Sequence, residues 1–174
     1  MDILSIILGL FVVCGLSFFM GSYFDAMWLP TKRSDYDRIA KLSELKSGMS
    51  FCDLGSGSSN LLFYLAEKYR VNCVGIEIAP FWYLFSKIKS LFYNNVKIKY
   101  DNFYNQDISQ VDVVYVYLLP RTYEKLKNKV VKELKIGGKL IISSWPLQDV
   151  DTLYFVYKNQ KNNSPTYYLY EKKP

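Results

Sequence analysis

Two acidic residues and a pair of glycines are spaced as they would be in a site for a ligand that carries a ribose. The run Asp53-Leu54-Gly55-Ser56-Gly57 ends an apolar segment, and Glu77 follows Gly57 by 20 residues. Glycines let the backbone turn sharply and let a ligand approach it closely. A carboxylate about 20 residues further on can bind the two hydroxyls of a ribose. The pattern predicts a ligand site at this turn.

The same run separates two classes of ligand. A dinucleotide fingerprint needs a third small residue, which packs the following helix on the strand, but Asn60 stands there. Asp53 precedes the first glycine and could bind a cationic amine. A ligand that combines ribose, adenine and an amino-acid ammonium without phosphate is S-adenosylmethionine, and we expect this cofactor at Asp53, the glycine turn and Glu77.

The composition excludes several other chemistries. The chain has 174 residues and no histidine, which rules out Ser-His-Asp and Cys-His catalysis and histidine-ligated zinc. Its three cysteines, Cys14, Cys52 and Cys73, are too widely spaced to suggest a thiolate metal site or a disulfide framework. We expect no metal, and a reducing compartment.

Alternating strands and helices must position these residues. The pattern predicts strands over 49–54, 72–78, 96–100, 112–118 and 139–145, with helices over 60–69, 80–93 and 120–134. Such alternation favours a parallel sheet with right-handed crossovers. Two further β-rich runs, 152–157 and 166–170, read as an antiparallel hairpin. We predict an α/β, Rossmann-like, mostly parallel seven-stranded sheet with helices on both faces, preceded by one helix within 31–48.

The N-terminal segment has a different character from the body. Residues 3–24 are 22 consecutive uncharged residues, and about 20 apolar residues cross a bilayer. Lysines and arginines follow the segment and none precede it, which places the body in the cytoplasm. We predict a single-pass anchor in 1–30 and a catalytic domain in 31–174. The alternatives are a cleaved signal peptide, a lipoprotein-type cysteine at Cys14 and a buried core helix.

The charge of the body suits a membrane surface. Residues 31–174 hold 22 basic residues against 14 acidic ones, an excess of eight. The charge is scattered, without a basic stripe of interleaved aromatics, so we expect no nucleic-acid partner. Anionic lipid headgroups attract such a body.

The motifs allow a family resemblance to be stated. From about residue 49 to 172 the chain resembles the class I, seven-stranded S-adenosylmethionine-dependent methyltransferases. Over nearly its whole length it is similar to the membrane-anchored ATP synthase c-subunit lysine methyltransferase family and its prokaryotic relatives. The segments that carry this likeness are Pro30-Thr31, 53–57, 75–80 and 114–120. The chain departs from the family at Ser58-Ser59-Asn60, where members usually have Asp-Gly-Arg.

The resemblance implies a role for each site residue. Asp53, Gly55, Ser56 and Gly57 would hold the methionine part of the cofactor and Glu77 its ribose hydroxyls. Asp101, Asn102 and Phe103 would meet the adenine, although a helix N-cap is an alternative for Asp101. The methyl-acceptor pocket would be lined by Tyr115, Tyr117 and Pro120.

Trp145 is a further aromatic candidate for the acceptor pocket. For Trp145, as for Tyr115 and Tyr117, packing in the core or on the sheet is the alternative interpretation, because aromatic residues are common in strands.

The predicted function follows from these roles. We expect a membrane-anchored S-adenosylmethionine-dependent methyltransferase that methylates lysine of a protein at or in the membrane. Transfer from a sulfonium to a neutral amine needs placement and desolvation but no histidine. Two alternatives stay open: a lipid or quinone methyltransferase, and a non-catalytic membrane-anchored scaffold whose altered Ser58-Ser59-Asn60 loop no longer binds the cofactor.

Overall fold

A seven-stranded sheet forms the centre of the molecule. The computed structural model describes residues 2–9, 11–12, 15, 29–148, 150, 153–160, 162 and 164–174. The strands are β1 (Ser50–Leu54), β2 (Asn72–Glu77), β3 (Val96–Tyr100), β4 (Val113–Val116), β5 (Lys139–Ser143), β6 (Leu153–Asn159) and β7 (Tyr167–Lys172). Their order is β3-β2-β1-β4-β5-β7-β6. The first five strands are parallel and β7 is antiparallel to both of its neighbours, so the predicted mixed sheet is confirmed.

Within the described residues, the helices that pack on the sheet are α1 (Tyr36–Leu42), α2 (Asn60–Tyr69), α3 (Pro80–Ser90) and α4 (Tyr123–Glu133). Short 3₁₀ turns lie at Arg33–Asp35, Phe103–Asn105 and Pro120–Thr122. Pro80 begins α3 at its first turn, where a missing N–H costs nothing. The predicted single helix before β1 is instead a 3₁₀ turn followed by α1.

Buried side chains divide between the two faces of the sheet, as the alternation along each strand requires. One cluster joins β1, β4 and β7 to α1 and α2 and includes Phe51 and Tyr115. The other joins the opposite faces of the same strands to α4 and includes Leu54 and Leu126. The expected helices on both faces are therefore present.

The predicted membrane span, residues 3–24, lies largely outside the described residues. Within the described part of the chain, no helix has both the length and the apolar character needed to cross a bilayer.

Candidate active site

The turn after β1 is tied directly to the neighbouring strand. Gly55 and Ser56 both donate their backbone N–H to the carbonyl of Ile76, at 2.9 and 3.0 Å. Gly55 and Gly57 have φ of +88° and +51°, a conformation that glycine adopts without strain. The turn is thus held over the carboxyl ends of β1 and β2, the edge of a parallel sheet where ligands bind.

Glu77 lies beneath this turn and organises it. One carboxylate oxygen accepts the Gly57 N–H at 2.6 Å and the other accepts the Ala79 N–H at 2.7 Å. The side chain is buried, and burial raises its pKa, partly offset by these backbone hydrogen bonds. A carboxylate has about four acceptor positions, so Glu77 can still accept hydrogen bonds from two ribose hydroxyls.

Asp53 is the second buried carboxyl of the site. Burial, and then the neighbouring Glu77 carboxylate, raise the pKa of Asp53 to about 8. No hydrogen bond from the described residues offsets these effects. A buried acid without a partner is costly in its charged form, and a cationic ligand group would supply the missing partner. This carboxyl fits the ammonium group of S-adenosylmethionine.

The loop at Ser58-Ser59-Asn60, where the sequence departs from the family, has a defined conformation. Ser59 has φ of +53°, so a serine occupies the left-handed conformation that usually requires glycine. Its N–H donates to the Ser56 carbonyl at 2.7 Å and its hydroxyl to the Ser56 hydroxyl at 3.0 Å. Asn60 binds the Ser58 hydroxyl and starts α2. The Ser58-Ser59-Asn60 loop is therefore a hydrogen-bonded turn that leads into α2.

Two residues that the sequence analysis did not single out support the turn. A Cβ at Gly75 would stand 2.7 Å from the Ser56 hydroxyl and 2.8 Å from the Leu62 side chain, so only glycine leaves room for the turn and α2. Ser86, on α3, donates its hydroxyl to the Gly57 carbonyl at 2.9 Å. The Gly75 position could have been suspected from its place two residues before Glu77; Ser86 gives no signal in the sequence.

Asp101 follows β3 at the same edge of the sheet, but its carboxylate is engaged locally. It accepts hydrogen bonds from the Asn102 N–H at 2.6 Å, from Asn105 at 3.1 Å and from Gln106, and these hold its pKa below the usual value. Asn102 is the N-cap of the 3₁₀ turn, accepting from the Tyr104 N–H at 3.1 Å. The N-cap of this turn is therefore Asn102 and not Asp101, which was the alternative for Asp101. Contact of these residues with the adenine stays a prediction.

Tyr115 lies in the core, in agreement with the alternative interpretation that it packs there. The side chain is buried between the rings of Phe51 and Tyr167, and its hydroxyl is 2.8 Å from that of Thr31. Its Cα is paired with that of Asp53 across the β1–β4 ladder, so the two side chains share one face of the sheet. Tyr115 supports the site from within and does not line an open pocket.

The other candidates for the acceptor pocket remain accessible. Tyr117 follows β4 and is half-buried against the α1–α2 side of the core, and Pro120 is exposed at the start of a 3₁₀ turn. Trp145 follows β5 and is 39% exposed. All three come after the carboxyl ends of parallel strands, the edge that carries Asp53 and Glu77.

A short stretch before β1, from Thr31 to Arg38, packs against β4 and β7. Besides the Thr31–Tyr115 contact, buried Asp35 accepts the Tyr167 hydroxyl at 3.3 Å, and Arg38 lies 4.6 Å over the Tyr167 ring. Arg38 also donates to the Pro165 carbonyl at 3.0 Å. These contacts link residues more than 80 positions apart, so sequence spacing gave no signal for them.

No group of acidic or thiol side chains suited to a metal ion is found among the described residues. The site is a glycine turn flanked by two buried carboxyls: Glu77 holds two backbone amides, and Asp53 has no hydrogen-bonding partner among the described residues. It can bind a cation at Asp53 and a diol at Glu77, which is the donor set expected for S-adenosylmethionine.

Comparison with known proteins agrees with this geometry. Residues 53–153 match the family model described as the ANTKMT methyltransferase domain. Over 152 residues, which are 82% of this chain and 91% of the relative, it is 26% identical to a protein-lysine N-methyltransferase from Saccharolobus islandicus (strain REY15A). The prediction of a class I methyltransferase is confirmed.

Solved structures share the fold. An RNA methyltransferase from Salinibacter ruber in complex with S-adenosyl-L-homocysteine has a TM-score of 0.75 at 23% identity, covering 83% of this chain and 94% of that one. A SAM-dependent methyltransferase from Aquifex aeolicus has a TM-score of 0.61 at 16% identity, covering 79% and 88%.

Proposed function

The chain belongs to the family of ANTKMT methyltransferase domains, and from that membership we propose that it transfers the methyl group of S-adenosylmethionine to lysine side chains of a partner protein. The observation that carries the proposal is the pair of buried carboxyls, Asp53 and Glu77, on either side of the glycine turn. The relative from Saccharolobus islandicus, a protein-lysine N-methyltransferase, supports lysine as the acceptor.

Each carboxyl meets a different part of the cofactor. Asp53, which has no other hydrogen-bonding partner among the described residues, binds the ammonium group and ionises as it does so. Glu77 accepts hydrogen bonds from the ribose hydroxyls while it holds the Gly57 and Ala79 amides. Gly57 is part of the turn and also donates its amide to Glu77. Binding of the ribose at Glu77 and ordering of the turn are therefore coupled.

Methyl transfer then requires only that the acceptor lysine is placed correctly in a pocket that excludes water. The lysine nitrogen must be neutral to attack the methyl carbon in line with the sulfur, and its solution pKa is about 10.4. Burial beside aromatic rings and near the sulfonium lowers that pKa. Tyr117 and Trp145, accessible at the ends of β4 and β5, are the rings that we assign to this pocket.

Membrane anchoring is the second part of the proposal. Its support is the uncharged run over residues 3–24 and the basic residues that follow it, which favour a cytoplasmic position for the catalytic domain. An anchored enzyme meets a membrane protein at a raised effective concentration. We therefore propose a protein at or in the membrane as the substrate.

Calorimetric titration of the detergent-solubilised full chain with S-adenosylmethionine and S-adenosylhomocysteine tests the cofactor. We expect both to bind. Because S-adenosylhomocysteine is the product of the cofactor, its affinity also reports how readily the product is released. If neither bound, the enzyme proposal would be overturned. Asp53→Asn should weaken both ligands, while Asp107→Asn, an exposed acid outside the site, should leave them unchanged.

The acceptor is tested separately. The enzyme is incubated with labelled cofactor and with membranes from cells that lack it, and the label is traced to protein, lipid or RNA. Label on lysine of a membrane protein, located by mass spectrometry, is the expected result. Label confined to lipid would favour the lipid or quinone alternative, and label on RNA would overturn both.

A further inference from the structure

The outer side of α3 carries an unusual set of exposed apolar side chains. They recur at the spacing of one helix face and continue into the turn after it: Leu84, Phe85, Ile88, Leu91 and Phe92, which we call the α3 patch. Phe92 is 83% exposed. Contiguous apolar patches on soluble surfaces usually mark a contact with another molecule or a membrane.

The surroundings of the α3 patch are positively charged. Residues 78–100 contain four lysines and no carboxylate. Lys87 is exposed beside the patch, and Lys97 and Lys99 are exposed on the edge strand β3. Amphipathic helices that lie in a membrane interface combine apolar and aromatic residues with flanking lysines, whereas the cores of protein interfaces are depleted of lysine.

The location of α3 connects this surface to the site. The helix starts three residues after Glu77, and Ser86 on its inner side donates to the Gly57 carbonyl. A molecule that binds the outer side of α3 therefore lies one helix diameter from the cofactor turn.

We propose that the α3 patch docks on an anionic lipid bilayer, with its apolar side chains at the acyl boundary and Lys87 among the headgroups. The contact is additional to the proposed N-terminal anchor and does not depend on it or on the identity of the acceptor. It fixes the orientation of the body, because α3 then lies against the membrane surface. A second copy of this chain is disfavoured as the occupant, because two such lysine-rich faces repel each other.

The test uses Trp82, which lies on α3 beside Phe85, as its reporter. In the full chain with Trp28→Phe and Trp145→Phe, Trp82 is the remaining tryptophan. The protein is added to anionic phosphatidylglycerol vesicles at less than one copy per vesicle, with acyl chains brominated near the headgroup or unbrominated. We expect the bromine to quench Trp82 emission, and to do so less in vesicles of zwitterionic phosphatidylcholine.

Two variants and one control make the result specific. Leu84→Ser/Ile88→Ser/Phe92→Ser and, separately, Lys87→Glu should each lose most of the quenching while still binding S-adenosylhomocysteine. Ile136→Ser should be quenched as the parent is, since Ile136 is 66% exposed but precedes β5, which is separated from β2 and β3 by β1 and β4.

If Trp82 is not quenched in the anionic vesicles, the proposal is overturned, even if the chain floats with the vesicles. In that case α3 faces water, a second copy or another part of the chain. Equal quenching in both lipids would overturn the assignment of anionic headgroups.

Discussion

The Glu77 carboxylate accepts the Gly57 amide at 2.6 Å, across a separation of 20 residues. This bond closes the cofactor turn onto the end of β2, and the Ala79 amide occupies the other carboxylate oxygen. One side chain thus fixes the turn after β1 and the start of α3 together. The ribose-binding group and the scaffold of the loop are the same residue.

Glu77→Gln is expected to weaken S-adenosylhomocysteine binding at least about tenfold, or roughly 1.4 kcal/mol. An amide has a single acceptor oxygen, so either Gly57 or Ala79 would face the NH₂ group and lose its hydrogen bond. Calorimetric titration measures the loss. Glu124→Gln, an exposed glutamate on α4, serves as the control, and equal affinity in the two variants would contradict the assignment.

The stability of the ligand-free protein should fall as pH rises through neutrality. Because the pKa of Asp53 is raised to about 8, the folded protein keeps a proton on this carboxyl that the unfolded chain has released. Between about pH 4 and pH 8 the folded state binds more protons, and Asp53 lowers the free energy of unfolding by up to about 1.4 kcal/mol per pH unit. Urea unfolding of Asp53→Asn should lack this slope; an identical slope in both proteins would place the titration elsewhere.

Cofactor binding should release a proton near pH 6 to 7. The ammonium group of the ligand favours ionised Asp53, so affinity is expected to rise about tenfold per pH unit in this range. Titration in two buffers of different ionisation enthalpy counts the protons directly. Binding without proton release would show that Asp53 does not meet a cationic group.

Ser59 stores strain that a glycine would release. Its φ of +53° is unfavourable for a residue with a Cβ. Ser59→Ala keeps the strain and loses the hydrogen bond to the Ser56 hydroxyl, whereas Ser59→Gly loses the bond and relieves the strain. We expect Ser59→Gly to be more stable than Ser59→Ala by about 1 kcal/mol in urea unfolding. Equal stability would mean that the turn relaxes in one of the variants.

The Thr31 and Tyr115 hydroxyls should be energetically coupled. They lie 2.8 Å apart in a partly buried setting, so Thr31→Val and Tyr115→Phe each remove the same hydrogen bond. A double-mutant cycle on unfolding should give a coupling of about 1 kcal/mol. Thr31→Val with Tyr123→Phe is the matched control, because the Tyr123 hydroxyl binds the Leu118 carbonyl instead; those two effects should add.

The local sequence pattern was sufficient to predict most of the fold. The apolar runs and the glycine and proline boundaries predict all seven strands, with ends that differ by no more than two residues. The helix before β1 was predicted less well, because Asp35 is drawn into the core by Tyr167 and Arg38, and a contact across 132 residues leaves no local signal. The same reason explains why the exposure of Tyr115 could not be foreseen: it depends on Thr31 and Tyr167.

Within the site, the acidic residues could be identified from the sequence, but their hydrogen bonding and protonation could not. Asp53 and Glu77 are both at the predicted edge, yet only the structure distinguishes the carboxyl that lacks a partner from the one that holds two amides. Period-two alternation could have placed Tyr115 on the face of Asp53. It could not reveal that Gly75 leaves room for the turn.

The strand order has a consequence for biosynthesis. β7 is the last strand in the chain, yet it lies between β5 and β6. While β7 is still being translated, β5 presents an open edge and β6 has no partner, and open edges are the sites at which nascent chains pair wrongly. The sheet is therefore completed only after β7 leaves the ribosome, and a chaperone that shields the β5 edge should increase the yield of folded enzyme.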